Sequence, residues 1–117
     1  MRYLKDGEFP WKGDGRLVFS LDKDAPPTIA QVLLKLADMY TPAAKAQLTV
    51  AECRHLITAT ATLEAPPEDG FLAFEDTHFE ALRKTVSAMA EIVTVSGFWR
   101  NRVTIEDIFD GAKAKKE

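Results

Sequence analysis

Residues 28–40, TIAQVLLKLADMY, decide the fold because they combine a helix start with a single apolar helical face. The Thr28 hydroxyl is positioned to accept a hydrogen bond from an amide of the first turn, and the Gln31 side chain to accept one from the Thr28 amide. Apolar residues then recur three and four residues apart until Pro42 stops the pattern. The segment therefore predicts an amphipathic helix with one face against a core. The residues of that face are Ile29, Val32, Leu33, Leu36, Ala37 and Tyr40.

The same start signal occurs again at Thr49-Val50-Ala51-Glu52 and at Thr104-Ile105-Glu106-Asp107. The first predicts a helix over 50–63, and the second predicts a short helix over 105–110 with Thr104 as its cap. The helix over 50–63 is expected to bury the residues of one face, which are Val50, Cys53, Leu56, Ile57, Thr60 and Leu63.

The longest predicted helix begins near Phe79 and ends at Gly97. Glu80 lies one turn before Lys84 and is placed to pair with it. The β-branched run over 92–95 leaves an extended end open. The apolar stripe of this helix fits the core of a bundle and the seam of a homodimer equally, so both interpretations stay open. The stripe consists of Phe79, Leu82, Val86, Met89 and Val93.

The N-terminal segment has the period of a strand. Leu17, Phe19 and Leu21 occupy alternate positions, which indicates a strand with one covered face. Residues 2–4 are expected to form its antiparallel partner across a long turn. The sequence therefore predicts a single domain over residues 1–117, mainly α in class (α+β). It comprises a β-hairpin over 1–22, a core of three to four helices over 28–110 and a frayed tail over 111–117.

Composition limits the class of protein. The chain has 117 residues, a hydrophobic fraction of 46% and a net charge of −3, so it can bury a core without disulfides or a structural metal. A single cysteine excludes an internal disulfide. Because no long apolar stretch or signal peptide is present, we expect a cytoplasmic protein that enters no membrane. The acidic balance gives the domain no general attraction to nucleic acid.

Residues with catalytic chemistry form no recognised pattern. Cys53 and His55 stand two residues apart, and on a helix they point about 200° from one another, so a thiol–imidazole pair is not expected. His78 is the only other histidine, and these three side chains do not suffice for a zinc site of nitrogen and sulfur ligands. Of the three pairs of adjacent acidic residues, two lie at predicted helix starts, so helix capping accounts for them better than metal binding. We therefore expect no enzymatic activity, no metal and no cofactor.

Two segments carry residue types that commonly anchor interfaces. Phe98-Trp99-Arg100-Asn101-Arg102 interleaves aromatic residues with arginines, and Phe9-Pro10-Trp11 places two large apolar residues in a glycine-rich loop. The structural alternative is that the aromatic residues of both segments pack onto the core. The candidate partner-binding residues are Phe9, Trp11, Trp99, Arg100 and Arg102.

Several helix starts also resemble those of a known class of proteins. They are Pro27-Thr28-Ile29, Leu48-Thr49-Val50-Ala51-Glu52 and Phe74-Glu75-Asp76, the last leading to Phe79-Glu80-Ala81-Leu82. Together with an N-terminal Asp-Gly hairpin, this layout resembles small uncharacterised proteins encoded by tailed phages and prophages. The resemblance runs from about Leu4 to Ile108 and assigns no functional residue. It implies a cytoplasmic protein that acts by binding, in virion assembly or host modulation.

We therefore expect a non-enzymatic protein-interaction module that self-associates, for example as a dimer, or docks on a protein partner. The alternative is a small helical nucleic-acid-binding regulator, in which the third or fourth helix and the tail lysines contact phosphates. Those lysines are Lys113, Lys115 and Lys116.

Overall fold

A computed structural model describes residues 1–10, 27–39, 47–95 and 102–116. Within these ranges lie four α-helices and two short β-strands in the order β1, α1, α2, β2, α3, α4. The predicted mainly α class with a small antiparallel β element is confirmed. The bounds are Arg2–Lys5 for β1, Ile29–Asp38 for α1, Val50–Glu64 for α2, Phe71–Phe74 for β2, Asp76–Val95 for α3 and Arg102–Asp110 for α4.

The first two helices begin at the predicted capping boxes. In α1 the Thr28 hydroxyl accepts from the Gln31 amide at 3.2 Å, and the Gln31 side chain accepts from the Thr28 amide at 2.9 Å. In α2 the Thr49 hydroxyl accepts from the Glu52 amide at 3.1 Å, and Glu52 Oε1 accepts from the Thr49 amide at 3.0 Å. Each box fixes the start of its helix by satisfying two amides that helical geometry leaves unpaired.

The third predicted box is wrong. Helix α4 already begins at Arg102, so Thr104 lies inside its first turn and cannot act as the cap. Thr104 is 4% exposed, and its hydroxyl has no hydrogen-bond partner among the described residues. Ile105 and Phe109, which are 0% and 1% exposed, anchor this helix in the core, and Thr104 is buried beside them in the first turn.

Helix α3 is the central element, because it packs against α1, α2 and α4. The predicted stripe is buried within the chain at Phe79, Leu82, Val86 and Met89, so it serves as a bundle core. The ring of Phe79 contacts that of Phe109 edge to face, with ring centroids 5.6 Å apart. The helix continues to Val95, which decides against an extended end over 92–95.

The strand that pairs with β1 differs from the expected one. β1 runs antiparallel to β2, with Leu4 opposite Leu72, whereas the strand predicted over 17–21 lies outside the described residues. Leu4, Leu72 and Phe74 are 3%, 0% and 2% exposed, so this pairing covers the apolar side of both strands. The two-stranded sheet therefore joins the N-terminus to the segment between α2 and α3.

The tail expected to fray is bound as far as Lys116. Tyr3 and Lys113 exchange two backbone hydrogen bonds, of 2.7 and 3.0 Å, on the edge of β1 that faces away from β2. Ala112 is 8% exposed, and Lys116 Nζ lies 2.7 Å from Asp69 Oδ2. In the part of the chain that the structure describes, no helix has the length and apolar character needed to cross a membrane.

Candidate functional site

Of the five predicted partner-binding residues, the structure describes Phe9 and Arg102. Phe9 is 1% exposed and belongs to the hydrophobic core, and its amide donates to the Pro27 carbonyl at 2.9 Å. Its ring therefore stabilises the fold and offers no contact surface, contrary to the prediction. Trp11, Trp99 and Arg100 lie outside the described residues, and Arg102 is the first residue of α4.

Helix α2 buries only part of the face predicted for it: Leu56 and Leu63 are buried as predicted, but Val50 and Ile57 are not. The face that packs inward carries Leu56, Ala59 and Leu63, whereas Val50 and Ile57 are 72% and 68% exposed. The two faces lie about 140° apart on a helix. Ala59 is fully buried, and its small side chain allows neighbouring elements to approach the helix closely, so this side faces the core.

We call the exposed side the α2 stripe and define it as Val50, Arg54, Ile57, Ala61 and Glu64. These residues are all exposed. They follow one another at alternating intervals of four and three residues, so they span only about 80° around the helix axis. The two β-branched residues lie two turns apart on it. Nothing in the fold of the described residues covers them, and they form an apolar surface within a charged helix face.

The stripe carries two charged residues of opposite sign. Among the described residues, neither Arg54 nor Glu64 forms an ion pair, whereas Lys84, Arg83 and Lys116 each contact a carboxylate. Arg54 lies one turn before Ile57, and Glu64 lies two turns after it. The stripe therefore places Ile57 and Ala61 between one positive and one negative residue, with Val50 beyond Arg54 at its N-terminal end.

The opposite flank of α2 lines a groove between α2 and α3 with a volume of about 530 Å³. His55 and His78 meet beside it, with ring centroids 5.2 Å apart and ring planes inclined at 40°. This proximity was not expected from the sequence, because 23 residues separate the two histidines and only the packing of α2 on α3 joins them. The side chain of His78 is 19% exposed, and its Nε2 lies 3.9 Å from Glu75 Oε2.

Three charged residues that line this groove, Glu52, Asp76 and Lys84, take part in ion pairs. Lys84 Nζ lies 2.9 Å from Glu52 Oε2, and Arg2 Nε lies 3.8 Å from Asp76 Oδ1. The hydrogen bond from the Thr49 amide, followed by that from Lys84, lowers the pKa of Glu52. These contacts link α2 to α3 and β1 to α3, which is a structural role.

The groove does not assemble a metal centre from described residues. In the described ranges, no three histidine, cysteine, aspartate or glutamate side chains lie close enough together to hold a metal ion. Cys53 is partly buried and packs against the core. Because residues two positions apart on a helix point about 200° from one another, the Cys53 thiol and the His55 ring project in different directions.

One of the three tail lysines proposed to contact nucleic acid, Lys116, is held by other residues of the chain. Lys116 lies over the Tyr3 ring at 5.5 Å and donates to Asp69. The hydrogen bond between the two side chains lowers the pKa of Asp69 and raises the pKa of Lys116. One of the three tail lysines is thus neutralised by an intramolecular partner.

No known protein family, curated protein or solved structure matches this chain.

Proposed function

We propose that this protein is a non-enzymatic protein-interaction module that makes its contact through the α2 stripe. The observation that carries the proposal is the exposure of Val50 and Ile57, at 72% and 68%, on a helix whose other apolar face is buried. Burying such side chains against a partner contributes about 25 cal/mol per Å² of apolar area. β-branched side chains also lose little rotamer freedom on contact, because few rotamers are open to them beforehand.

A role based on binding agrees with the resemblance of the helix starts to those of small phage-encoded proteins, for which virion assembly or host modulation is the expected setting. The nucleic-acid alternative receives less support, since Lys116 is held by Asp69.

The test compares Ile57→Asp with Ile92→Asp, two changes at exposed apolar residues on different helices. Ile92 is 54% exposed and lies outside the stripe, so it is the matched control. Since both side chains are exposed, each variant should keep its stability within about 0.5 kcal/mol of wild type. The readouts are the mass in solution and affinity purification from the native host.

We expect Ile57→Asp to remove an association that the wild type and Ile92→Asp both retain. If all three proteins show the same mass and the same associated proteins, the stripe is not the contact surface. A mobility shift of DNA or RNA that weakens steeply with salt would instead establish the nucleic-acid alternative.

A further inference from the structure

We infer that the occupant of the α2 stripe is a second copy of this chain, whose α2 helix lies antiparallel to the first across a two-fold axis. This inference rests on the proposed function and specifies its partner. It is carried by the order of charges along the stripe, which makes the surface complementary to itself in one orientation.

The register follows from the residue spacing. When Ile57 faces Ala61 of the second copy, an antiparallel arrangement places Arg54 against Glu64 of the second copy, because each lies three residues further along in opposite directions. The two-fold axis repeats both contacts, so the interface contains two apolar pairs and two opposite-charge pairs. The small side chain of Ala61 leaves room for the isoleucine, as large and small residues alternate at packed helix seams.

A parallel arrangement lacks this complementarity. In a parallel, in-register pair, Arg54 would face Arg54 and Glu64 would face Glu64. Both contacts would bring like charges together, which disfavours association. The absence of intramolecular ion pairs for these two residues in the described part of the chain leaves them free to pair across the axis.

The contact between the two stripes is small, so we expect the affinity of the dimer to be low. The stripe from Arg54 to Glu64 is about 15 Å long at 1.5 Å per residue, which is shorter than a standard protein–protein interface requires. The dimer should therefore be weak, with dissociation in the micromolar range and a mass that rises with protein concentration.

The experiment reverses one charge at a time and measures the mass by sedimentation equilibrium over a concentration series. Arg54→Glu gives a stripe with two acidic residues, and Glu64→Arg gives one with two arginines. Each variant should dissociate about tenfold more readily than wild type, because two opposite-charge pairs become two like-charge pairs.

Mixing the two variants tests whether opposite charges at positions 54 and 64 drive the association. In a mixed antiparallel dimer, the acidic stripe of Arg54→Glu meets the basic stripe of Glu64→Arg, and both charge pairs are opposite again. We expect the equimolar mixture to associate at least as strongly as wild type, although neither variant does so alone. Both changes lie at exposed positions, and circular dichroism of each variant verifies that the helices are intact.

Two outcomes overturn the inference. The first is a wild-type chain that stays monomeric at about 500 μM, where a micromolar dimer would be populated. The second is a dimer whose dissociation is unchanged in both charge variants and in Ile57→Asp. If the wild type is monomeric while Ile57→Asp alone loses a host protein, the second-copy inference fails and the proposed function stands.

Discussion

At the scale of single residues, Asp6 joins the N-terminal segment to the first helix. Its Oδ1 accepts from the Ala30 amide at 3.0 Å and from the Gly7 amide at 2.9 Å. The other early amides of α1 are also paired: that of Ile29 donates to the Gly7 carbonyl, and that of Thr28 donates to the Gln31 side chain. With the Thr28 hydroxyl on the Gln31 amide, all four amides that a helix start leaves open have an acceptor.

We predict that Asp6→Ala lowers the free energy of unfolding by about 1–2 kcal/mol, because the partly buried Ala30 amide loses its acceptor. Urea denaturation measures the change. Glu8→Ala is the matched control, since Glu8 is exposed and contacts Thr28 through backbone only. Asp6→Asn keeps an oxygen acceptor and should fall between the two. Equal stability of Asp6→Ala and Glu8→Ala would show that the contact contributes nothing.

The caps illustrate what can be predicted from sequence at this scale. The boxes at Thr28 and Thr49 were predictable because donor and acceptor lie three residues apart, so helical geometry alone brings them together. The contact of Asp6 with Ala30 was not, since they lie 24 positions apart in the sequence and only the backbone pairing of residues 7–9 with residues 27–29 brings them together. The prediction for Thr104 failed although its local signal was correct in form, because the helix begins two residues earlier, at Arg102, and Thr104 lies inside the first turn.

At the scale of elements, the period of apolar residues in α2 does not determine which face of the helix is buried. The helix carries two apolar faces, one through Leu56 and Leu63 and one through Val50 and Ile57, and both fit a helical period. Its bounds were predicted closely, since the Thr49 box and Pro66 limit it on both sides. The choice of face depends on the shape of α3 and β2, which the sequence of α2 does not contain.

The ion pair between α2 and α3 gives a prediction with a defined pH dependence. Lys84 was expected to pair with Glu80 on its own helix, but it binds Glu52 on α2. The folded-state pKa of Glu52 is lowered from its ordinary value of 4.5, so the stabilisation is complete above that pH. It is lost as the pH falls through the lowered folded-state value.

We therefore predict that Glu52→Gln lowers the melting temperature slightly at pH 7, and that the difference from wild type shrinks as the pH is reduced below 4.5. Glutamine can keep the capping contact with the Thr49 amide, so the variant isolates the charge. Thermal unfolding followed by circular dichroism between pH 3 and pH 7 provides the measurement. Glu80→Gln is the control and should match wild type throughout; a larger effect there would assign Lys84 to the pair within α3.

At the scale of the whole molecule, β1 connects the most distant parts of the chain. One edge pairs with β2, and the other edge receives Lys113. The sequence indicated an N-terminal strand correctly, but it contained no signal for these partners, because strand pairing depends on which segments the helical core brings alongside. β2 itself is four residues long between a proline-rich loop and a helix, which is too short for its alternation to stand out.

We predict that truncation after Gly111 exposes this second edge. The Tyr3 amide, which donates to the Lys113 carbonyl at 2.7 Å, should lose its protection against hydrogen exchange. The Asp6 amide, which donates to the Gly70 carbonyl at 2.8 Å, should keep it. Loss of two backbone hydrogen bonds should lower the free energy of unfolding by about 1–3 kcal/mol. Lys116→Gln removes the ion pair with Asp69 and the cation above the Tyr3 ring but no backbone hydrogen bond, so it should leave the Tyr3 amide protected. If it exposes that amide as fully as the truncation does, the Lys116 side chain rather than the backbone pairing holds the tail in place.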